Sequence, residues 1–346
     1  MSVLGSRVIF DDDILNKLDV NSVIDPLGKK VLIVSGQISF SLLGEKLREI
    51  LLQRGLSVYV EFLSGRGLVS KIDQLINIYE RIGVNLVIGV GGGSIADIAK
   101  YISHRLKTRL IMVPTVLSTN AIASPFSVLY SEDNKLYTLR TKAPDLIIAD
   151  LKILREEPRR FILSGIGDLL AKITSIYDYK LAHFIAGEPY NKVAVEIARG
   201  SLSMLLRNLG TISSASPEGI KMLLTLLILD GYIMDLANTS RVVAGCEHQV
   251  AYGIEHVAGK GLHGELVALG VLICSYLQNK NYIKIIDLFK RHGLPVHPSD
   301  IDVSVEEFIN ALSIAHSTRN WYTILGMRGF ANTDIIKELL RDLGII

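Results

Sequence analysis

The apolar positions change their period partway along the chain. Up to about residue 150 they form short buried-type runs: residues 31–35 (Val-Leu-Ile-Val-Ser), 56–62, 85–90 and 109–113 read as strands. Between them lie helical spacings, through Leu42, Leu43, Leu47 and Ile50, through Ile72, Leu75, Ile76 and Tyr79, and across 97–106. Such alternation predicts βαβ units and a mainly parallel sheet. Residues 127–140 carry turn formers (Ser131, Asp133, Asn134) between two apolar–polar runs, which predicts a β-hairpin, and 144–150 supply a last strand. After Pro158 strand signals nearly vanish. Apolar repeats at helical spacing run through 163–181, 193–206, 220–236, 266–277 and 305–316. The expected fold is an α/β, Rossmann-like parallel-sheet domain over residues 1–154. An all-α domain over 155–346 follows, with an active site expected in the cleft between the two.

Bulk properties narrow the function classes. At 346 residues and 49 % apolar, the chain suits two domains with sizeable cores. A net charge of +2, with basic residues scattered rather than interleaved with aromatics, gives no nucleic-acid footprint. No apolar run reaches the roughly 18 residues of a membrane span. The longest, 222–229, is ended by Asp230, and the N-terminus carries Asp11, Asp12 and Asp13 instead of a basic-then-apolar signal. A soluble, cytoplasmic protein is expected, and so apolar a helical half suggests a homo-oligomer. Cys246 and Cys274 are too few for a disulfide framework or a CxxC site. Cys246 reads as a small core residue, with metal ligation beside Glu247 as the alternative.

Two stretches carry candidate chemistry in the first half. Gly89-Val90-Gly91-Gly92-Gly93-Ser94 follows a strand and opens a helix. Glycines there let the backbone approach a pyrophosphate, and the helix N-terminus offers unpaired N–H groups and a positive dipole end. A tight strand-to-helix turn is the simpler reading. The loop Pro114-Thr115-Val116-Leu117-Ser118-Thr119-Asn120, with Ser124 beyond it, places hydroxyls at a strand C-terminus, where ligands bind in open α/β sheets. Local capping explains them equally. Glu61, near the end of the second strand, suits ribose hydroxyls and NADH, whereas Arg66 suits the 2′-phosphate of NADPH.

In the helical half, His248, His256 and His263 lie among apolar and glycine residues between Glu247 and Glu265. Clustered neutral imidazoles suggest a zinc-type site, and fewer than four protein ligands would leave a catalytic position open. Asp168, after Ser164-Gly-Ile-Gly167, is either an N-cap or a further ligand. His256 reads as a core or supporting histidine. A metal and a dinucleotide on one chain point to redox chemistry on an alcohol or carbonyl.

Taken in order, the glycine turn GGGSIADIAK, the PT-x-x-S loop, the GIGD element and the EH…HGE segment resemble the iron- or zinc-dependent polyol dehydrogenase and dehydroquinate synthase superfamily. Ile122-Ala-Ser-Pro125, Ser240-Arg241, Gly245-x-Glu247-His248, Leu262-His263-Gly264-Glu265 and Ala315-His316…Tyr322-Thr-Ile-Leu325 resemble the archaeal sn-glycerol-1-phosphate dehydrogenase family within it. The resemblance implies NAD(P)H-dependent reduction of dihydroxyacetone phosphate to glycerol 1-phosphate for archaeal phospholipids. It implies a zinc or iron ion on Asp168, His248 and His263, a pyrophosphate on Gly91, Gly92, Gly93 and Ser94, and a nicotinamide side lined by Thr115, Ser118 and Ser124.

Two positions depart from the family pattern. Asn120-Ala121 stands where members usually have an aspartate that contacts substrate, and Tyr252 stands where they have a second histidine. Asn120 and Tyr252 are therefore expected beside the substrate with Asp168, Tyr252 sharing a helix face with His248 and offering its phenol as a proton relay. Arg241, Lys172, Lys260 and Arg319 are the candidate partners of the substrate phosphate. A dehydrogenase of unphosphorylated polyols and a non-catalytic NAD(P)-binding regulator are the alternative readings.

Overall fold

The computed structural model describes residues 6–17, 29–63, 65, 67–133, 135–326 and 332–346. Two compact units emerge, Met1–Pro158 with Ala215–Asp235 and Arg159–Ser214 with Leu236–Ile346.

The first unit is built on a six-stranded, all-parallel sheet of β1 (Arg7–Asp11), β2 (Lys30–Ser35), β3 (Ser57–Phe62), β4 (Leu86–Gly91), β5 (Arg109–Pro114) and β8 (Leu146–Asp150). Strand order is β1-β8-β5-β4-β2-β3. The central strands are apolar along most of their length because both faces are covered, as parallel sheets require. Helices α1 (Glu45–Gln53), α2 (Val69–Ile82) and α3 (Gly93–Leu106) follow β2, β3 and β4. Val31, Ile33, Ile88, Ile111 and Ile148 pack with Leu47 and Leu51 in one fully buried cluster. The expected hairpin is present as β6 (Phe126–Tyr130) paired antiparallel with β7 (Leu136–Arg140); Asn134 of its turn lies outside the described residues. Strand β1 was not anticipated. It is an edge strand, its residues only partly buried, so its apolar signal is weak; the parallel ladder to β8 defines it.

After β2 the chain winds outward to β3, and from β4 it winds the opposite way to β5. The switch point between β2 and β4 is where open α/β sheets bind ligands, outside the carboxyl ends of the strands. The glycine turn leaves β4 there.

The second unit is helical: α4 (Arg159–Leu170), α5 (Lys172–Ala186), α6 (Lys192–Arg207), α8 (Cys246–Ala258), α9 (His263–Leu277), α10 (Tyr282–His292), α11 (Val305–Ile314) and α12 (Thr333–Asp342). The span expected as one helix over 163–181 is two, with Ala171 at the break, because an apolar period runs across a tight turn unchanged. Helix α7 (Pro217–Ala237) lies within the helical half of the sequence, yet 215–235 cluster with the sheet unit. The Tyr232 hydroxyl donates to the Ser6 carbonyl, Arg140 pairs with Asp235 at 3.0 Å, and a Cβ on Gly231 would strike the Ala123 backbone. Periodicity records that a helix has an apolar side and says nothing of which unit covers it. Cys246 and Cys274, both fully buried, are joined as a disulfide between α8 and α9 with Cα atoms 6.2 Å apart. Two cysteines so far apart in sequence gave no hint of that pairing. Among the described residues no helix is long and apolar enough to cross a membrane.

Candidate active site

Three helix ends of the second unit meet at one point. Asp168 sits in the last turn of α4, His248 in the first turn of α8, and His263 opens α9. Helices α4 and α9 cross where neither has a side chain: an added Cβ on Gly264 would fall on the Ser164 backbone, and one on Gly167 on the Gly264 carbonyl. The Ser164 hydroxyl accepts from the Gly264 amide at 3.1 Å. Arg160 of α4 forks onto Glu265 of α9 with bonds of 2.6 and 2.8 Å, and Glu265 also accepts from the Leu262 amide at 2.8 Å, which fastens the start of α9. Asp168 and His263 are thus held by backbone contact and an ion pair, before any ligand is considered.

The result is a small basin of convergent donors. Asp168 Oδ1 lies 3.5 Å from His248 Nε2 and 3.9 Å from His263 Nε2, and one ligand atom from each residue falls within 4.8 Å of the others. Tetrahedral coordination with bonds of about 2.1 Å separates its ligand atoms by about 3.4 Å, so this spacing fits a zinc-type ion. Asp168 and His248 are 1 % and 7 % exposed at their side chains and His263 is 29 % exposed, leaving one side of the basin open. Behind His248, Glu247 Oε1 accepts from Nδ1 at 3.0 Å. That bond leaves Nε2 free to ligate and raises its basicity, as carboxylate–histidine–metal triads do. Glu247 is fully buried and also accepts from the Gly245 amide and from Thr174 Oγ1. Burial would lower the His248 imidazole, but hydrogen bonds to Asp168 and Glu247 and their charges raise it to about 9. The pocket therefore favours a cation at Nε2, proton or metal ion. His263 is held below the usual imidazole range by desolvation and the charges of His248 and Arg319, against the pull of Asp168.

Glu247 was not assigned this supporting role from sequence; adjacency to His248 was its only signal. Asp178, missed entirely, is buried in α5 and accepts from the Cys246 and Ile324 amides at 2.8 Å each. Burial and the Glu247 charge raise it to about 7. Asp178, Cys246 and Glu247 form a second tight grouping, but it is fully enclosed and its atoms are engaged by backbone, hydroxyl and disulfide bonds. Tyr252 stands one turn beyond His248, with its ring centroid 6.2 Å from that of His248 and 5.7 Å from that of His263. His256 corrects an expectation: it is exposed in the last turn of α8, neither core nor support. Eight residues turn a helix about 80° past two full turns of repetition, enough to carry His256 off the ligand face.

The first unit holds the other candidate set. Gly91 has φ of 155°, Gly92 caps α3 without any side-chain bond, and Ser94 is exposed in the first turn. A Cβ on Gly92 would come within 2.8 Å of Val116, and one on Gly93 would strike Thr119, so the turn lies flat against the Thr115–Thr119 loop. Glycine backbone, helix N-terminus and adjoining hydroxyl loop make a cradle that fits a pyrophosphate. Thr115 is buried, with Oγ1 3.4 Å from Ser39 Oγ. Ser118 and Asn120 flank Thr119, whose hydroxyl caps the short 3₁₀ turn Asn120–Ile122. The Ser124 hydroxyl is spent inside the loop on Phe126 and on buried Lys100, itself paired with Asp97 at 2.9 Å. Glu61 accepts from Tyr79 at 2.6 Å, and Arg66 lies outside the described residues.

Glu157 also was missed. It is 8 % exposed, Oε2 accepts from the Leu117 amide at 2.8 Å, and Oε1 is buried without a partner among the described residues. Burial pushes its pKa up to about 8 from a usual 4.5. The folded state therefore holds a proton that the unfolded chain releases. Stability from this group is full below about pH 4.5 and is lost as pH rises through about 8, with a slope of about 1.4 kcal/mol per pH unit between. Glu157→Gln keeps a carbonyl for Leu117 and cannot ionise. Its unfolding free energy minus that of the wild type should rise steadily between pH 5 and 8 in denaturant titrations. A pH-independent difference would refute the buried-acid assignment.

Against this geometry, comparison with known proteins places the chain. A family model described as iron-containing alcohol dehydrogenase matches residues 13–158. A probable glycerol dehydrogenase from Sinorhizobium meliloti superposes with a TM-score of 0.79 over 99 % of this chain and 97 % of its own, at 21 % identity, which establishes the shared fold. The fold class is therefore the one shared with that structure. More particularly, the chain is 36 % identical over 318 residues to glycerol-1-phosphate dehydrogenase [NAD(P)+] of Hyperthermus butylicus, covering 91 % of this chain and 90 % of that one. It is 34 % identical to the enzyme of that name from Staphylothermus marinus, over 99 % and 97 % of the two chains. The chain belongs to the glycerol-1-phosphate dehydrogenase family.

Proposed function

We propose that this protein is an NAD(P)-dependent dehydrogenase that interconverts dihydroxyacetone phosphate and sn-glycerol 1-phosphate, the reduction serving archaeal membrane phospholipid synthesis. The observation that carries this reading is the Asp168–His248–His263 basin in a chain so similar, over nearly its whole length, to proteins of that name. Oxidising the secondary alcohol of glycerol 1-phosphate gives that ketone, and the pair differs by one hydride and one proton.

Asp168, His248 and His263 would hold the divalent ion, zinc or iron(II), since one carboxylate and two imidazoles suit both. When bound, the ion supplies Lewis acidity toward the substrate oxygen and the nicotinamide supplies the hydride. Glu247 keeps Nε2 of His248 free of its proton-bearing tautomer and turned to the basin. Gly91, Gly92, Gly93 and Ser94 would hold the dinucleotide's pyrophosphate, with Thr115 and Ser118 on the adjoining loop. The Tyr252 ring centroid lies 6.2 and 5.7 Å from those of His248 and His263, and its phenol would supply the proton to the substrate oxygen. Tyr252→Phe should lower kcat about a hundredfold at unchanged metal content; a loss below threefold would leave the proton to water.

The reading is tested by NADPH and NADH oxidation with dihydroxyacetone phosphate and with dihydroxyacetone, before and after chelation and zinc or iron add-back. Metal-restored turnover that favours the phosphorylated ketone is expected. Turnover of the unphosphorylated ketone alone would move the protein to the polyol dehydrogenases, and no turnover on either would overturn the reading.

A further inference from the structure

The helix that carries His248 is tied side-on to the segment after α11. Gln249, fully buried, donates Nε2 to the carbonyls of His316 (3.2 Å) and Arg319 (3.3 Å), and its Oε1 accepts from Thr323 Oγ1 at 2.6 Å. The Thr318 hydroxyl donates to the Gln249 carbonyl at 3.2 Å. These four bonds set the Arg319 guanidinium over the face of Tyr252, with Cζ 4.3 Å from the ring centroid, and 5.4 Å from the ring of Trp321. Tyr252 in turn adjoins both histidines of the basin.

A stacked guanidinium keeps its edge free for in-plane hydrogen bonds, the geometry that suits a phosphate's oxygens. Arg319 Nε is buried with no hydrogen-bond partner among the described residues, and the side chain forms no ion pair among them. The other cations near this part of the unit are committed or closed off. Arg241 binds Glu188 at 3.0 Å and the Tyr322 carbonyl, Lys260 pairs with Glu307 at 3.1 Å, and Lys172 is 1 % exposed. Arg319 is half-buried, so its guanidinium keeps access to a ligand while the enclosed Nε stays without a partner that an anion's oxygen would supply. The short three-carbon substrate of the proposed reaction carries its phosphate close beside its carbonyl.

We propose that Arg319, carried on the platform of Tyr252, receives the substrate phosphate and sets the preference for a phosphorylated over an unphosphorylated ketone. The assignment rests on the functional reading above and adds to it the residue that reads the phosphate. It also gives the tyrosine at position 252 a second use, because its ring face holds the guanidinium while the ring adjoins both histidines.

Two measurements on the zinc-loaded protein test it. Trp321 is the chain's one tryptophan, so inorganic phosphate added to the wild type should produce a saturable change in its fluorescence that Arg319→Gln abolishes. In steady-state assays Arg319→Ala should lower kcat/KM for dihydroxyacetone phosphate about a hundredfold, mostly through KM, and far more than for dihydroxyacetone. Arg319→Lys should recover part of the loss. Equal losses on both ketones, or phosphate binding that survives Arg319→Gln, would overturn the proposal. A wild type that turns over neither ketone would overturn the functional reading instead; the fluorescence titration needs no turnover and still decides whether Arg319 holds the anion.

Discussion

Replacing His263 by alanine should give a folded protein that has lost its metal and at least about a thousandfold of its turnover. Lewis-acid stabilisation is worth several kcal/mol of barrier, and each 1.4 kcal/mol is tenfold in rate. His263 opens α9 and is 29 % exposed, so its loss removes a ligand without opening the core. The start of that helix stays fastened by Glu265, which accepts from the Leu262 amide and pairs with Arg160. Metal analysis of the purified variant should show a metal-to-protein ratio well below that of the wild type. Dinucleotide binding, proposed at Gly91–Ser94 in the other unit, should persist in a fluorescence titration with NADPH. Turnover within tenfold of the wild type would remove His263 from the ligand set and refute the basin as the catalytic centre.

The second large effect comes from a residue that touches no ligand. Gly264→Ala should destabilise the protein by about 3 kcal/mol or more and empty the metal site as well. Overpacking a core typically costs 1–3 kcal/mol when side chains can shift, and here the added methyl meets the backbone of Ser164, which cannot turn aside. Helices α4 and α9 must separate, and they carry Asp168 and His263. A displacement of a few tenths of an ångström is enough to spoil coordination, whose bond lengths tolerate about ±0.2 Å. Gly200→Ala is the matched control. That glycine lies in α6 with open space around its Cβ direction, so the same substitution should stabilise by about 0.5–1 kcal/mol through helix propensity. Denaturant midpoints and metal content of both variants decide it. If Gly264→Ala behaves like Gly200→Ala, the close crossing is not what spaces Asp168 from His263.

The departures from the family pattern become intelligible in the same terms. A histidine at position 252 would offer a smaller ring and a charge of the wrong sign for a guanidinium at low pH. Tyrosine offers a neutral ring face to Arg319 at 4.3 Å and carries a polar hydroxyl besides. The change at Tyr252 therefore keeps the site's polarity while altering what supports its cation. Asn120, the other departure, begins the Thr119-capped turn beside the glycine cradle, where a carboxamide can hydrogen-bond a substrate hydroxyl without adding negative charge.

Much of this was legible in the chain alone because it depends on local order. The period of apolar residues marked five of the six parallel strands and most helices, since burial on both faces forces continuous Val, Ile and Leu runs such as 31–35. Residue types marked His248, His256 and His263 as candidate ligands, because only a few side chains can ligate a metal, and the family resemblance narrowed the set to Asp168, His248 and His263. Folding decided what depends on separations that no spacing encodes. It placed α7 with the sheet unit, split residues 163–181 at Ala171, paired Cys246 with Cys274, and left His256 outside. It likewise distinguished Arg319 among four candidate cations, laying its guanidinium over Tyr252 while Arg241 and Lys260 have carboxylate partners. A sequence names the groups able to carry charge and bind ions; only the packed chain determines which of them are neutralised by neighbours and which remain for a ligand.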